Sequence, residues 1–289
     1  MTSTSRSGLR CRQIVDSDVN NVADLLARGF PAKSRLFWLR SLTRLARHPT
    51  PHGSPRYGYV IENNGTLLGI VLLITSSIQT ENTWIVRSNI SCWYVVPEIR
   101  TLATLLVSRA VVHPQATYLN VSPDPRTLRS IEAQGFLRYS NGEFVAVPRF
   151  KKLNEDVKVF EVSDDCQPPF RCFERDLLVA HANYGCLSLW CSAADGAYPF
   201  VFVPRVVKRI IPCFQLAYCR KIEDYLRFAR LLEWHFVWHR RPFLIIDSNG
   251  PIRGLRGKYF DGVQPKYFKG PHRPRLGDLA YTEIPMFGL

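Results

Sequence analysis

The segment from Cys92 to Val112 carries residue types that can bind an anion. A strand-like apolar run ends at Tyr94-Val95-Val96-Pro97, Arg100 follows at the turn, and a helical pattern begins there. A helix N-terminus exposes unpaired backbone N–H groups and the positive end of the helix dipole, which together attract a diphosphate. We therefore expect an anion site at this junction.

A second polar turn follows the buried strand pattern of residues 243–247. Asp247 and Asn249 stand in the turn Asp-Ser-Asn-Gly-Pro, and polar groups at the end of a buried strand are well placed to contact a substrate. They are our candidate substrate-binding residues. The same residue types also form an Asx turn with a purely local role, and the sequence leaves both interpretations open.

Other catalytic patterns are weak or absent in the sequence. His235 and His239 have the spacing of a two-histidine metal site on a helix, but Phe236 replaces the glutamate of a zinc hydrolase, so we expect helix packing and no metal. No Gly-x-Ser-x-Gly or Walker motif occurs, which leaves a serine hydrolase or a P-loop enzyme without support.

Composition predicts a packed protein with an anionic partner. Of the 289 residues, 46% are hydrophobic, and no apolar run is long enough to cross a bilayer, so we expect no membrane span and a cytoplasmic location. The net charge of +14 favours a nucleic acid, an anionic membrane surface or an anionic small ligand. Nucleic acid stays possible, although no recognition motif supports it.

The order of hydrophobic patterns predicts two α/β domains, 1–150 and 156–289, joined by a polar stretch at residues 148–156. Each half contains a hairpin, a strand, a helix and a further strand, so a repeat of element order is expected. Asn64-Gly65 and Asn141-Gly142 both predict hairpin turns. The final residues form a basic aromatic tail with a strand candidate at residues 279–285. Its segment from Lys258 to Arg275 is either a surface for a polyanionic or sugar-bearing acceptor or a basic loop folded on the second domain.

The junction at Arg100, the preceding hairpin and the later Gly135-Phe136 together resemble the GNAT superfamily of acyl-CoA-dependent N-acyltransferases. The resemblance covers about residues 9 to 147 and rests on order and spacing. It implies two GNAT-like domains, each a mixed, mostly antiparallel sheet flanked by helices. It also implies an acyl-CoA donor whose pyrophosphate binds the residues around the turn: Val95, Val96, Arg100, Thr101, Leu102, Ala103, Thr104 and Leu105.

Two departures from the family pattern bear on catalysis. Ala103 and Leu105 stand where the loop has glycine or another small residue, and Ile131 stands where a tyrosine general acid is common. The remaining candidates are Glu98 and Glu132 as proton acceptors, and Tyr94 and Asn120, with Ser122, for orienting substrate.

The second half resembles the degenerate repeat of tandem GNAT proteins and of relatives that transfer aminoacyl groups to peptidoglycan precursors. The resemblance implies a bacterial-type enzyme moving an acyl group to an amine or hydroxyl, on a small-molecule or sugar-amine acceptor. Two alternatives remain open: a non-catalytic binding or scaffold protein with this fold, and a transferase that uses aminoacyl-tRNA.

Overall fold

The structure is a computed structural model that describes residues 8–79, 83–148, 157–163, 165–170 and 173–289. Its contacts divide the chain into two compact units. The first holds residues 1–120, 124–137 and 268–272, and the second holds 121–123, 138–267 and 273–289. Apart from Pro148, the expected linker lies outside the described residues.

The first unit is a mixed sheet flanked by helices. Its strands have the order β1-β2-β3-β4-β5 and are antiparallel, except that β4 and β5 run parallel. Its elements are β1 (Leu9–Gln13), α1 (Val19–Gly29), α2 (Arg35–Arg47), β2 (Gly58–Asn63), β3 (Thr66–Gln79), β4 (Trp84–Val95), α3 (Ala103–Ala110), β5 (Thr117–Asn120) and α4 (Leu128–Ala133).

Helices α1 and α3 cover opposite faces of this sheet. Gly29 of α1 lies against the ring of Tyr94, whereas Leu106 of α3 approaches Gly69, whose strand partner is Val95. Successive residues of a strand point to opposite faces, so Tyr94 and Val95 assign each helix to its side. The hairpin predicted at Asn64-Gly65 is confirmed, with both residues at positive φ.

The hairpin predicted around Asn141-Gly142 is wrong, because residues 137–146 form one strand, β6 (Leu137–Ala146). The Asn141 N–H donates to the side chain of Asn249, and Gly142 lies against the Phe260 carbonyl, so neighbours distant in sequence hold both residues in the strand. Strand β6 groups with the second unit although the sequence placed it in the first. Its Phe144 packs in the hydrophobic core of the second unit.

The second unit contains β6 and a further set of strands and helices. The strand order is β12-β6-β11-β10-β9-β8-β7, with β10 and β11 parallel. The remaining elements are β7 (Lys158–Glu161), α5 (Phe173–Asn183), β8 (Leu187–Ala193), β9 (Gly196–Val207), β10 (Ile211–Cys219), α6 (Ile222–Trp238), β11 (Phe243–Ser248), β12 (Gly257–Lys269) and α7 (Glu283–Phe287).

The two units share an order of elements. Each unit begins with a strand and a helical segment, which three antiparallel strands follow. A helix then leads to a further strand, which runs parallel to the third of those strands. The parallel pair is β4–β5 in the first unit and β10–β11 in the second. The mixed α/β class with helices flanking largely antiparallel sheets is therefore confirmed.

Two expectations for the C-terminal tail need correction. Strand β12 runs through most of the segment from Lys258 to Arg275, for which a loop was one of the two interpretations, and it buries Lys266 and Tyr267 completely. The strand expected at residues 279–285 is wrong, because helix α7 begins at Glu283 and ends at Phe287, followed by Gly288 in the left-handed region. The sequence pattern does not predict this short helix, because polar Thr282 and Glu283 are both buried, whereas a polar residue usually indicates an exposed position.

The described cysteines include several thiols within the sheets, and burial raises the pKa of Cys191 and of Cys219 to about 12. These thiols pack as small buried hydrophobes. No helix among the described residues is long and apolar enough to cross a membrane.

Candidate acyl-donor groove

The parallel strands β4 and β5 part soon after they pair. Their register joins Arg87–Asn89 to Thr117–Leu119, and β4 then continues to Val95 while β5 ends at Asn120. Across the described part of the chain, no other strand pairs with this edge of β4 beyond Asn89. A strand edge left in this way offers N–H and C=O groups to an extended ligand.

A β-bulge lies in the part of β4 that extends beyond its pairing with β5. The register with β3 shifts between Ile70 and Leu72, and Cys92 takes a φ of 52°. The bulge directs Trp93 to the α3 side, where its Nε1 donates to the Ala103 carbonyl at 3.0 Å. Tyr94 lies on the α1 side, 6.2 Å from Phe30 between ring centroids. Sequence reasoning missed Cys92 and Trp93, because a bulge at a non-glycine residue leaves no pattern.

Strand β4 leads into the predicted anion site at the start of α3. Residues Pro97–Leu102 form a 3₁₀ turn, so α3 starts at Ala103 and is shorter than the helix predicted from residue 100. No side chain caps α3, and its first turn holds no acidic residue. The Ala103 N–H donates to the Arg100 carbonyl of the preceding 3₁₀ turn, and no side chain caps the N–H groups that follow it.

The predicted cofactor-binding residues differ in exposure. Val95 and Val96 are buried and support the turn, and Leu102 and Ala103 are half-buried. The exposed members are Arg100, Thr101, Thr104 and Leu105. Arg100 therefore adds a solvent-accessible positive charge beside the helix N-terminus, where the two effects act together on an anion.

The candidate catalytic residues lie on separate elements of the first unit. Half-buried Tyr94 and exposed Glu98 lie at the end of β4, and Asn120 ends the adjacent strand β5. Glu132 is on the exposed surface of α4. Beside it, Ile131 is 3% exposed and belongs to the core, so the hydroxyl of the family's tyrosine has no counterpart at this position.

Ser122, the other residue expected to orient substrate, has a partner that sequence reasoning missed. Its hydroxyl donates to the Glu283 carboxylate of α7, and Glu283 is 1% exposed. The two residues are 161 positions apart, so nothing local in the sequence connects them.

The second unit has a corresponding parallel pair, but the chain's own tail lies along it. The Cys219 N–H donates to the Gly277 carbonyl at 3.1 Å, and the Leu279 N–H donates to the Ala217 carbonyl at 2.7 Å. Asp278 forms an antiparallel bridge with Tyr218. The edge of β10 is thus already satisfied by backbone hydrogen bonds just before α6 begins.

Asp247 and Asn249 both make internal contacts in the second unit. Asp247 is 2% exposed, and its carboxylate lies 2.8 Å from the buried Lys266 ammonium. The Asn249 side chain accepts from the Asn141 N–H at 2.7 Å and donates to the Tyr139 carbonyl at 3.1 Å. Asp247 therefore links β11 to β12, and Asn249 links the end of β11 to β6. No described contact directs either residue toward a ligand.

Comparison with solved structures identifies the fold. A candidate acetyltransferase from Pyrococcus horikoshii aligns with a TM-score of 0.57 at 10% identity, covering 97% of this chain and 96% of that one. A GCN5-related N-acetyltransferase from Anabaena variabilis aligns with a TM-score of 0.56 at 9% identity, covering 90% and 72%. A fungal β-N-acetylglucosaminidase with a GCN5-related glucosamine N-acetyltransferase region gives 0.56 at 10%, covering 92% of this chain and 39% of that one.

No protein-family model and no curated protein matches the sequence. The likeness is therefore one of structure, and it extends over nearly the whole chain. This chain has the fold of the GCN5-related N-acetyltransferases, as the resemblance at the Arg100 junction predicted.

Proposed function

We propose that this protein is an acyltransferase of GNAT type that binds an acyl-CoA in its first unit. The observation that carries the proposal is the edge of β4 beyond its pairing with β5, to which no described strand adds and which leads directly to the start of α3 beside exposed Arg100. The acyl donor is a substrate here, and no resident metal is required.

The residues present fit the parts of a CoA ester in order. The pantetheine arm contains two amides, and the open edge of β4 supplies the backbone groups that amides pair with. The diphosphate carries the negative charge that Arg100 and the α3 N-terminus attract. The side chains of Ala103 and Leu105 leave less room for a diphosphate to approach the turn. They remove none of its N–H groups, because these belong to the backbone.

The second unit does not offer an equivalent groove. Gly277 and Leu279 already occupy the backbone groups of β10 at the position that corresponds to the open edge of β4. We therefore assign one donor site per chain, and we assign it to the first unit. The shared element order supports an origin of the second unit from the same fold.

The reaction proposed is direct transfer to a nucleophile held beside the thioester. A C–N or C–O bond forms, the C–S bond breaks, the nucleophile's proton passes to a base or to water, and the thiolate leaves and is protonated. Holding the two reactants together supplies much of the rate enhancement. Glu98 is the proton acceptor best placed at the end of β4, and Tyr94 is the candidate for orienting the acceptor.

A second candidate function follows from Ile131. Ile131 is a buried aliphatic residue, so it cannot donate a proton to the leaving thiolate. A protein with this fold can then bind acyl-CoA without catalysing transfer. Binding and turnover must therefore be measured separately.

The acceptor we favour is an amine on a small molecule or an amino sugar. One structural neighbour contains a glucosamine N-acetyltransferase region. Glucosamine is thus a sensible first acceptor in a panel that also includes peptide and polyamine amines, with release of free thiol as the readout.

The binding test is a thermal melt with acetyl-CoA and longer acyl-CoA esters. A ligand at about 100 times its Kd stabilises the folded state by roughly 2.7 kcal/mol, which for a protein of this size raises Tm by about 5 °C or more. We expect this shift for the wild type and its loss in Arg100→Glu.

Arg40→Glu is the matched control, because Arg40 is exposed on α2 and the charge change is identical. It should keep the wild-type shift. If no acyl-CoA raises Tm, or if Arg40→Glu loses the shift as fully as Arg100→Glu, the assignment of the donor site is wrong. Binding without thiol release from any acceptor would favour the binding module.

A further inference from the structure

Helix α6 presents two tryptophans to solvent on the side away from its core. Trp238 is 86% exposed and Trp234 is 53% exposed, whereas Phe228, Leu232 and Phe236 of the same helix are fully buried. Trp234 and Trp238 are one turn apart, so they form a single ridge. Neither indole is needed to cover the core, because the buried face of α6 already does so.

Exposed aliphatic side chains lie at the tip of the β9–β10 hairpin in the same unit. Ile210 is 78% exposed and Val206 is 54% exposed. Lys208 and Arg209, between them, have positive φ and form the turn. Isoleucine at the tip of a turn contributes nothing to the hairpin's own packing, since the turn projects from the sheet.

The C-terminal end of α6, which carries Trp238, lies near the strand that leads to the hairpin tip. Phe236 of α6 packs 4.7 Å from Phe202 of β9 between ring centroids, and Arg241 donates to the Arg205 carbonyl at 2.6 Å. The C-terminus of α6 therefore meets β9 at Arg205, one residue before Val206. We define the Trp–Ile surface as Val206, Lys208, Arg209, Ile210, Arg230, Trp234, Trp238 and Arg240.

This surface is strongly cationic. Four of its eight residues are cations, Lys208, Arg209, Arg230 and Arg240, none is a carboxylate, and the neighbouring Glu233 of α6 is buried. Glu161 of β7 approaches the rim, 3.5 Å from His239. A partner must therefore be anionic and must also accept exposed aliphatic and indole groups.

We propose that the Trp–Ile surface binds an anionic lipid membrane, with Ile210, Trp234 and Trp238 entering the interface and the cations facing the headgroups. Tryptophan prefers the interfacial region of a bilayer, and each lysine or arginine near an anionic leaflet adds about 1 kcal/mol. Nucleic acid explains the cations and the indoles, but it offers no apolar phase for Ile210 and Val206. The lipid interface accounts for all of them.

The test is co-sedimentation of the full chain with vesicles of phosphatidylcholine, with and without phosphatidylserine. We expect binding that requires phosphatidylserine and weakens with salt. Arg240→Gln should weaken it about fivefold, the change that corresponds to one headgroup contact. Ile210→Ser combined with Trp238→Ala should reduce it further without changing the acyl-CoA melting shift.

Leu36→Ser combined with Arg40→Gln is the matched control, because Leu36 is 55% exposed and both residues lie on α2 of the first unit. This control should bind vesicles like the wild type. Equal vesicle binding by the Ile210→Ser/Trp238→Ala variant and the wild type would overturn the proposal. So would the absence of vesicle binding together with salt-dependent binding to single-stranded RNA that those substitutions weaken.

Discussion

At the scale of single residues, the clearest result concerns Asp247. The sequence placed it in a polar turn suited to substrate contacts, and the structure pairs it with Lys266 inside the second unit. The Lys266 side chain is 1% exposed, and burial raises the pKa of the adjacent Glu143. A lysine at position 266 carries no sign of burial in the sequence, because the surrounding Lys-Tyr-Phe pattern also suits an exposed basic surface.

A buried ion pair that loses one partner leaves an uncompensated charge. We expect Lys266→Met to lower the free energy of unfolding by about 3–5 kcal/mol, and Lys266→Met with Asp247→Asn to cost much less. Chemical denaturation measures both. Arg35→Met, which breaks the exposed pair with Asp24, should leave Tm nearly unchanged.

The opposite pattern would restore the substrate interpretation. If Asp247→Asn raises KM for the acceptor while the unfolding midpoint stays that of the wild type, Asp247 contacts substrate and its pairing with Lys266 contributes little.

At the scale of elements, the first unit was largely readable from the sequence, whereas the tail was not. Asn64-Gly65 determines the conformation of its own turn, and Pro97 ends the strand that precedes it. Both effects involve only residues adjacent in the chain, so the sequence alone predicts the hairpin and the end of β4. The Asn141-Gly142 pair misleads because long-range neighbours hold it extended. Tail residues 277–279 follow no hydrophobic period, since their backbone, rather than their side chains, pairs with β10.

The close fit of the tail against β10 gives a prediction for Gly277. It has a φ of 76°, and a Cβ there would lie 3.0 Å from the Cys219 sulfur and 3.1 Å from Ile222. Gly262 has a φ of 70° with nothing within 4 Å of its Cβ position. Both alanine substitutions carry a similar backbone strain, so their difference isolates the packing of the tail.

We expect Gly277→Ala to destabilise the protein by about 1 kcal/mol or more beyond Gly262→Ala, as measured by denaturant unfolding. Equal losses for the two variants would mean that the tail does not fill the edge of β10 closely. The argument for a single donor site would then lose its main support in the second unit.

At the scale of the whole molecule, the sequence was sufficient for the fold class, and it also predicts where the proposed donor site lies. The strand, the turn and Arg100 are adjacent in the chain, so their order is visible without a structure. The bulge at Cys92, the Trp93 bond to Ala103 and the Ser122–Glu283 pair depend on tertiary packing. The GNAT-type fold extends over nearly the whole chain, and the two units differ in whether their parallel strand pair is open or filled.

The measurement that tests this account most directly is calorimetric titration of the full chain with acetyl-CoA. The account predicts one site per chain, because β4 is open and β10 is filled, and it predicts that Arg100→Glu abolishes the binding heat while Arg40→Glu retains it. Two equivalent sites per chain, or saturable binding that Arg100→Glu leaves intact, would contradict it.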